Sequence, residues 1–261
     1  MAKFCPLFSS SKGNVTYIGS GESGILVDVG VSAKRLEIAL HDIGVDPSSL
    51  DAIFITHEHS DHRSGLRVFA SRYGIKVYAT DGTLSALEQY GDLKDVCYEA
   101  IGDGTEAGEL LIQPFATSHD AAESCGYTVE TPDGRKISVC TDLGYVSDTV
   151  SDAVSGSDLI LLESNHDLAM LETGPYPYHL IQRIKGRKGH LSNESCAEQA
   201  QKLIRSGTTR IILGHLSEQN NFPELAFQTT YNSLEEIGAK ADCDYILKVA
   251  KPVWDSRAIM L

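Results

Sequence analysis

Nowhere along the chain does an apolar run approach the roughly 18 residues that a membrane-spanning helix requires. No repeat recurs, and no linker or block of like charge divides the sequence, so one domain over residues 1–261, mixed α and β, is the expectation. The opening residues, Met1-Ala2-Lys3-Phe4-Cys5-Pro6-Leu7-Phe8, turn polar too soon to read as a signal peptide, and cytoplasmic residence with no membrane partner is expected. Close cysteine pairs are also missing. Cys5, Cys97, Cys125, Cys140, Cys196 and Cys243 form no CxxC motif and several sit in apolar runs, which predicts buried, reduced thiols and argues against a thiolate-rich metal site. Positive charge is scarce: 22 Lys and Arg stand against 36 Asp and Glu, a net −14. That balance disfavours a simple nucleic-acid binder. The local potential at a site counts for more than the total, however, and bound divalent cations would offset part of it.

What is present alternates between short β runs and amphipathic helical runs. Val15–Ile18 and Gly24–Asp28 read as paired strands. Ser32 caps a helix with the apolar face Leu36, Ala39, Leu40 and Ile43, stopped by Gly44. Asp51–Thr56 is a strand, His62–Tyr73 a helix ended by Gly74, Ile75–Ala79 a strand and Thr83–Tyr90 a helix. Leu110–Phe115, Gly126–Glu130 and Lys136–Thr141 are strands, the last two joined by the turn Thr131-Pro132-Asp133-Gly134. Leu159–Leu162 and Arg210–Leu213 are short buried strands. Between them Ser192 opens a helix that Gly207 ends. Pro223–Ile237 is helical and Tyr245–Val249 a late strand.

The chemistry gathers at the strand ends. Asp28, His57, His119, Asp142, Glu163 and His215 each stand at or just beyond the end of an apolar strand, where a rigid sheet edge fixes a side chain and loops can assemble a site. The densest group is His57-Glu58-His59-Ser60-Asp61-His62. Neutral imidazoles and carboxylates suit zinc, manganese or iron. His57 and His59 can turn to one ion, with Asp61 and His62 placed for a second; His119, Asp142 and His215 complete the set. The bland alternative, a polar helix start with incidental histidines, sits poorly with three histidines and two acids in six residues.

The string His57-x-His59-x-Asp61-His62, with Asp28 upstream and His119, Asp142 and His215 downstream, resembles the metallo-β-lactamase superfamily. The resemblance implies an α/β fold, an αββα sandwich of two facing mixed sheets with helices outside and metals at one edge. It implies that His57, His59 and His119 hold one divalent ion, that Asp61, His62 and His215 hold the other, and that Asp142 bridges them. Asp28 would orient the histidine loop. Within the superfamily the chain is similar to the YycJ (WalJ) group through Ser9-Ser10-Ser11-Lys12-Gly13-Asn14, Leu162-Glu163-Ser164-Asn165-His166-Asp167, Gly189-His190-Leu191-Ser192-Asn193 and Gly214-His215-Leu216-Ser217-Glu218-Gln219-Asn220-Asn221. That group implies a DNA 5′ exonuclease linked to repair. The first string departs from the group's usual Gly-Ser-Ser-Gly.

A pair of zinc or manganese ions roughly 3.5–4 Å apart would bind a bridging hydroxide as the nucleophile and take up phosphate charge, with Asp61 accepting a proton. His190 is the candidate acid or phosphate contact, because it precedes a helix start that favours an anion. Arg183, Lys185, Arg187 and Lys188 form the one basic concentration beside it and are candidate contacts to DNA or a small phosphodiester; a solvated loop is the alternative. Glu163 could orient His190 or accept backbone hydrogen bonds, and His166 could line the pocket. His41 and His179 read as structural. A glyoxalase II-type thioester hydrolase or a cyclic phosphodiesterase is the runner-up. Export-dependent β-lactamases, iron flavoproteins and a non-catalytic binder fit the ligand set less well.

Overall fold

In a computed structural model, residues 1–255 and 257–261 are described. The chain folds as two compact units whose segments interleave: Met1–Pro114, Ala121–Arg135 and Lys251–Leu261 form unit 1, and Phe115–Asp120 and Lys136–Ala250 form unit 2. The described strands belong to two mixed sheets of seven.

Unit 1 opens with strands β1 (Ala2–Ser10), β2 (Gly13–Ser20) and β3 (Ser23–Val27), followed by helix α1 (Ala33–Asp42), β4 (Ala52–Phe54), helices α2 (Ser60–Arg63) and α3 (Leu66–Tyr73), β5 (Lys76–Ala79), α4 (Asp81–Tyr90) and β6 (Tyr98–Ala100). It continues with β7 (Thr105–Ala107), β8 (Leu110–Ala116, whose last two residues count with unit 2) and β9 (Cys125–Glu130). Unit 2 holds β10 (Lys136–Cys140), α5 (Asp148–Val154), β11 (Leu159–Glu163), α6 (Leu168–Thr173), α7 (Tyr178–Lys185), α8 (Asn193–Arg205), β12 (Arg210–Gly214), α9 (Pro223–Glu236) and β13 (Ile246–Val249). The chain then returns to unit 1 as β14 (Ile259–Met260).

One sheet lies wholly in unit 1, in the order β14-β1-β2-β3-β4-β5-β6. Its first four strands pair antiparallel and β3 to β6 pair parallel. Leu26, Ile53, Val77, Leu36, Leu40 and Phe69 are among the side chains of its core. In unit 2, β10, β11, β12 and β13 pair in parallel; β10 to β12 are near-continuous buried apolar runs, as strands buried on both faces should be, whereas β13 is partly exposed. Their core joins Ile160, Leu162, Ile211 and Leu213 to Cys196, Ala200 and Leu203 of α8.

Several expectations need correction. The helix expected over His62–Tyr73 is two helices, interrupted at Ser64 and Gly65. A side chain at 65 would put its Cβ 1.9 Å from the carbonyl oxygen of Val31, so the chain passes there as glycine, with the Gly65 N–H bonded to Val29 O. Ser32 stands at the N-cap of α1 but makes no side-chain capping bond. β1, β6, β7, β14, α5, α6 and α7 are additional to the elements expected from the sequence. Cys5, Cys125, Cys140 and Cys196 are buried, but Cys97 and Cys243 are exposed. Burial pushes the thiols of Cys5, Cys125 and Cys196 up to about 12, which leaves them inert as nucleophiles at neutral pH. His41 lies exposed on α1, and His179 exposed on α7.

Candidate metal centre

The sheet of unit 1 delivers one half of the candidate residues. β3 ends at Val27 and the next residue, Asp28, adopts left-handed backbone (φ 63°), which turns its carboxylate back toward the end of β4. There Asp28 accepts from the backbone N–H of Thr56 at 2.8 Å, from the Thr56 hydroxyl at 2.9 Å and from Nδ1 of His62 at 2.7 Å. Burial raises the Asp28 carboxyl, while the His62 imidazole and the Thr56 hydrogen bonds oppose the rise. The Thr56 hydroxyl also lies 3.0 Å from Nδ1 of His57. With each Nδ1–H committed to an oxygen, Nε2 of His57 and of His62 carries the lone pair that a cation needs. His57 and His62 are fully buried, their ring centroids 4.2 Å apart, and the His59 ring lies 4.6 Å from that of His57. Asp61 Oδ2 stands 3.4 Å from His62 Nε2.

Unit 2 delivers the other half by the same device. Asp142 (φ 59°) just after β10 and His215 (φ 54°) just after β12 are also left-handed. Nδ1 of His215 lies 3.0 Å from Asp142 Oδ2. His119 donates from Nδ1 to the carbonyl of Gly189 at 3.0 Å, which again leaves Nε2 as the coordinating nitrogen, 3.8 Å from Asp142 Oδ1. Burial lowers the basicity of His119, only partly offset by Asp142, so the imidazole is neutral and fit to ligate at pH 7.

Asp142, Glu163, His190 and His215 each offer a donor atom within 4.8 Å of the others. Glu163 is nonetheless better occupied elsewhere. Its Oε1 accepts from His190 Nδ1 at 2.8 Å, and its Oε2 accepts from the backbone N–H of Leu143 at 2.9 Å and of Leu191 at 3.1 Å. It thus makes both kinds of contact that the sequence left open, one to the His190 ring and two to buried backbone amides. The donor set in each unit, imidazole nitrogens and carboxylate oxygens with the tautomers of His57, His62 and His119 set by hydrogen bonds, fits a divalent cation.

The remaining candidates fall less centrally. His166 is buried and forms a β-bridge with Ser192. Its Nδ1 has no hydrogen-bonding partner among the described residues, and burial pulls its pKa from 6.5 down to about 4. The unfolded chain takes up this proton near 6.5 and the folded chain resists it until about 4, so the stability involved is fully present above 6.5 and is lost as pH falls toward 4. That loss amounts to about 3 kcal/mol. Urea midpoints of the wild type should thus fall more steeply than those of His166→Gln between pH 6.5 and 4. Parallel slopes would show that His166 is not the group responsible.

The basic run divides. Arg183 pairs with Asp120 (2.6 Å) and Lys185 with Glu172, whereas the Arg187 guanidinium lies 4.0 Å over the Tyr145 ring; Lys188 is exposed. Carboxylates thus already match the charge of the first two cations, while Arg187 meets an aromatic face and Lys188 faces solvent. The first two are also carried by α7 and not by a loop.

Sequence reasoning gave no role to Thr56, Gly189 or Asn14. Thr56 directly precedes His57 and so shares its strand end, which was a usable signal. Gly189 acts through its backbone, which no residue type betrays. Asn14 Nδ2 lies 3.1 Å from His62 Nε2 and 3.2 Å from Asp61 Oδ2, contacts that span 47 and 48 residues of sequence.

The family model described as "Beta-lactamase superfamily domain" matches residues 24–216. Exodeoxyribonuclease WalJ of Streptococcus pneumoniae is 39% identical over 248 residues, covering 93% of this chain and 92% of that protein. Exodeoxyribonuclease YycJ of Bacillus anthracis is 38% identical over 240 residues, covering 90% of each. Among solved structures, the metallo-β-lactamase fold protein YhfI from Bacillus subtilis superimposes with a TM-score of 0.72 at 17% identity, covering 97% of this chain and 98% of that one, which speaks to the fold. The chain belongs to the β-lactamase superfamily and, within it, to the group of the WalJ and YycJ proteins. Its α/β fold of two mixed seven-stranded sheets is the fold of that family. Among the described residues no helix is long and apolar enough to cross a membrane.

Proposed function

We propose that this protein is a metal-dependent hydrolase of phosphodiester bonds that degrades DNA from a 5′ end. The observation that carries the reading is the 39% identity, over nearly the whole of both chains, to a protein named exodeoxyribonuclease. In this reading His57, His59 and His119 hold one divalent ion, Asp61, His62 and His215 hold the other, and Asp142 serves both, with zinc or manganese as the metal. When bound, such a pair of cations activates water and absorbs charge from the phosphate. The protein's own groups do the rest. Asp28 and Thr56 fix the ligand tautomers, and Asp61 takes the proton released by the attacking water. His190, held through Nδ1 by Glu163, keeps Nε2 for a phosphate oxygen or for protonating the leaving oxygen. His166 serves as a buried support of that region. Acting on DNA, the enzyme is proposed to work in the cytoplasm.

The deciding assay offers end-labelled DNA, RNA, a small aryl phosphodiester, a cyclic nucleotide and a thioester to the protein loaded with manganese or zinc. Release of nucleotides from the 5′ end of DNA is expected; turnover of the thioester alone would overturn the reading. Because Arg183 and Lys185 already have carboxylate partners, Arg187→Ala with Lys188→Ala should weaken turnover of DNA several-fold and flatten its salt dependence by about one to two phosphate contacts. Turnover of a small diester should be spared. Equal losses on both substrates would remove these cations from DNA binding.

We also propose that residues 1–261 act as one domain, because unit 1 takes segments from both sides of unit 2 and unit 2 is itself split by a segment of unit 1. Scanning calorimetry should then show a single transition; two separable ones would contradict it.

A further inference from the structure

We propose that Asn14, the second residue of β2, is a positioning residue of the cation site at Asp61 and His62; the inference rests on the metal-dependent reading above. The backbone N–H of Ser10 donates to Asn14 Oδ1 at 3.2 Å and so settles which end of the amide faces the ligands. The Nδ2 end faces three acceptors: His62 Nε2 at 3.1 Å, Asp61 Oδ2 at 3.2 Å and the Asp61 carbonyl at 3.4 Å. Since His62 Nδ1 is committed to Asp28, Nε2 is an acceptor, and the Asn14 amide marks the direction of that acceptor.

The separations have meaning for a cation. Two ligand atoms about 2.1 Å from one tetrahedral ion stand roughly 3.4 Å apart. Asp61 Oδ2 and His62 Nε2 are 3.4 Å apart, with Asn14 Nδ2 nearly equidistant from both. Asn14 thereby holds the two ligands at the spacing that a single ion requires. An amide nitrogen has only two hydrogens, so it cannot satisfy three acceptors at once. With the Nε2 lone pair given to a cation, both hydrogens remain for Asp61, whose carboxylate stays aimed.

The backbone is built to keep Asn14 in place. Its carbonyl accepts from Gly30 N at 2.9 Å. A Cβ at position 30 would fall 1.7 Å from the Asp61 carbonyl oxygen and 2.6 Å from Asn14 N, so the segment after β3 wedges Asn14 against Asp61 only as glycine. Asn14 itself is buried.

The test is calorimetric titration of the metal-stripped full chain with manganese(II), alongside the melting temperature of the stripped protein. Asn14→Leu, close in size and unable to hydrogen-bond, should weaken one of the two binding equivalents by about 10- to 100-fold and leave the other unchanged. An Asn14→Leu protein with unaltered metal-free melting and two wild-type affinities would overturn the proposal. Should that variant not fold, Asn14→Asp preserves the acceptor for Ser10 N–H and sets an anionic oxygen beside the site. That oxygen has no hydrogen to offer Asp61 Oδ2 or the Asp61 carbonyl, so the variant should bind one manganese equivalent more weakly than the wild type, and equal or tighter affinity would overturn the proposal as well. A wild-type protein that binds no divalent ion would refute both this inference and the metal-dependent reading. One that binds two ions and leaves DNA intact would refute only the substrate.

Discussion

Asp28→Asn should leave a folded protein that binds its metal roughly 10- to 100-fold more weakly and loses activity in proportion. The asparagine carbonyl can still accept from the Thr56 backbone N–H, but an amide nitrogen then replaces the oxygen that faces His62 Nδ1. A donor opposite a donor is not tolerated in a buried site. The imidazole must move its proton to Nε2 or turn away, and either response removes the lone pair offered to a cation. Elemental analysis after dialysis, with a manganese titration of the stripped protein, reads the effect directly. Wild-type affinity in the asparagine variant would mean that the Asp28–His62 contact does not set the tautomer.

Glu163 separates stability from chemistry. Glu163→Ala would strip the acceptor from two buried backbone amides, Leu143 and Leu191, at a cost of about 2–6 kcal/mol for the pair. Glu163→Gln keeps one oxygen, which can still serve those amides, so most of the stability should survive. Its amide nitrogen then meets His190 Nδ1, forcing that imidazole to accept at Nδ1 and carry its proton at Nε2 permanently. Turnover should fall by about 100-fold or more, the scale of a lost proton-transfer group, while metal content stays at the wild-type level. A glutamine variant as fast as the wild type would remove His190 from proton transfer.

The metal-site candidates could be read from the sequence because their residue types are rare and their positions regular. His57, Asp142 and His215 each come within about three residues of the end of an apolar strand, and a strand end leaves few places for the next side chains to go. What could not be read was the backbone that aims them. Left-handed φ at Asp28, Asp142 and His215 is unusual for non-glycine residues and has no composition signature. The division of the basic run was equally hidden, since Arg183 finds Asp120 63 residues away. β1 has no clear signature because its run from Ala2 to Ser10 contains Pro6 and a register shift between Cys5 and Phe8, which break the alternation that marks a strand. The single helix expected over His62–Tyr73 failed at Gly65, where the neighbouring Val29–Val31 segment, and not local propensity, decides the path.

The pairing of β1 with β14 bears on how the molecule is made. Lys3 and Phe4 find their partners in Met260 and Ile259, and Leu7 accepts from the backbone of Trp254. During synthesis the flank of the first strand stays bare until Ile259 and Met260 have also cleared the ribosome, long after β1 itself, so that border waits unprotected in the meantime. A stop codon before Ile259 would leave every candidate metal ligand encoded and that border permanently open, with clumping of the truncated chains as the expected outcome.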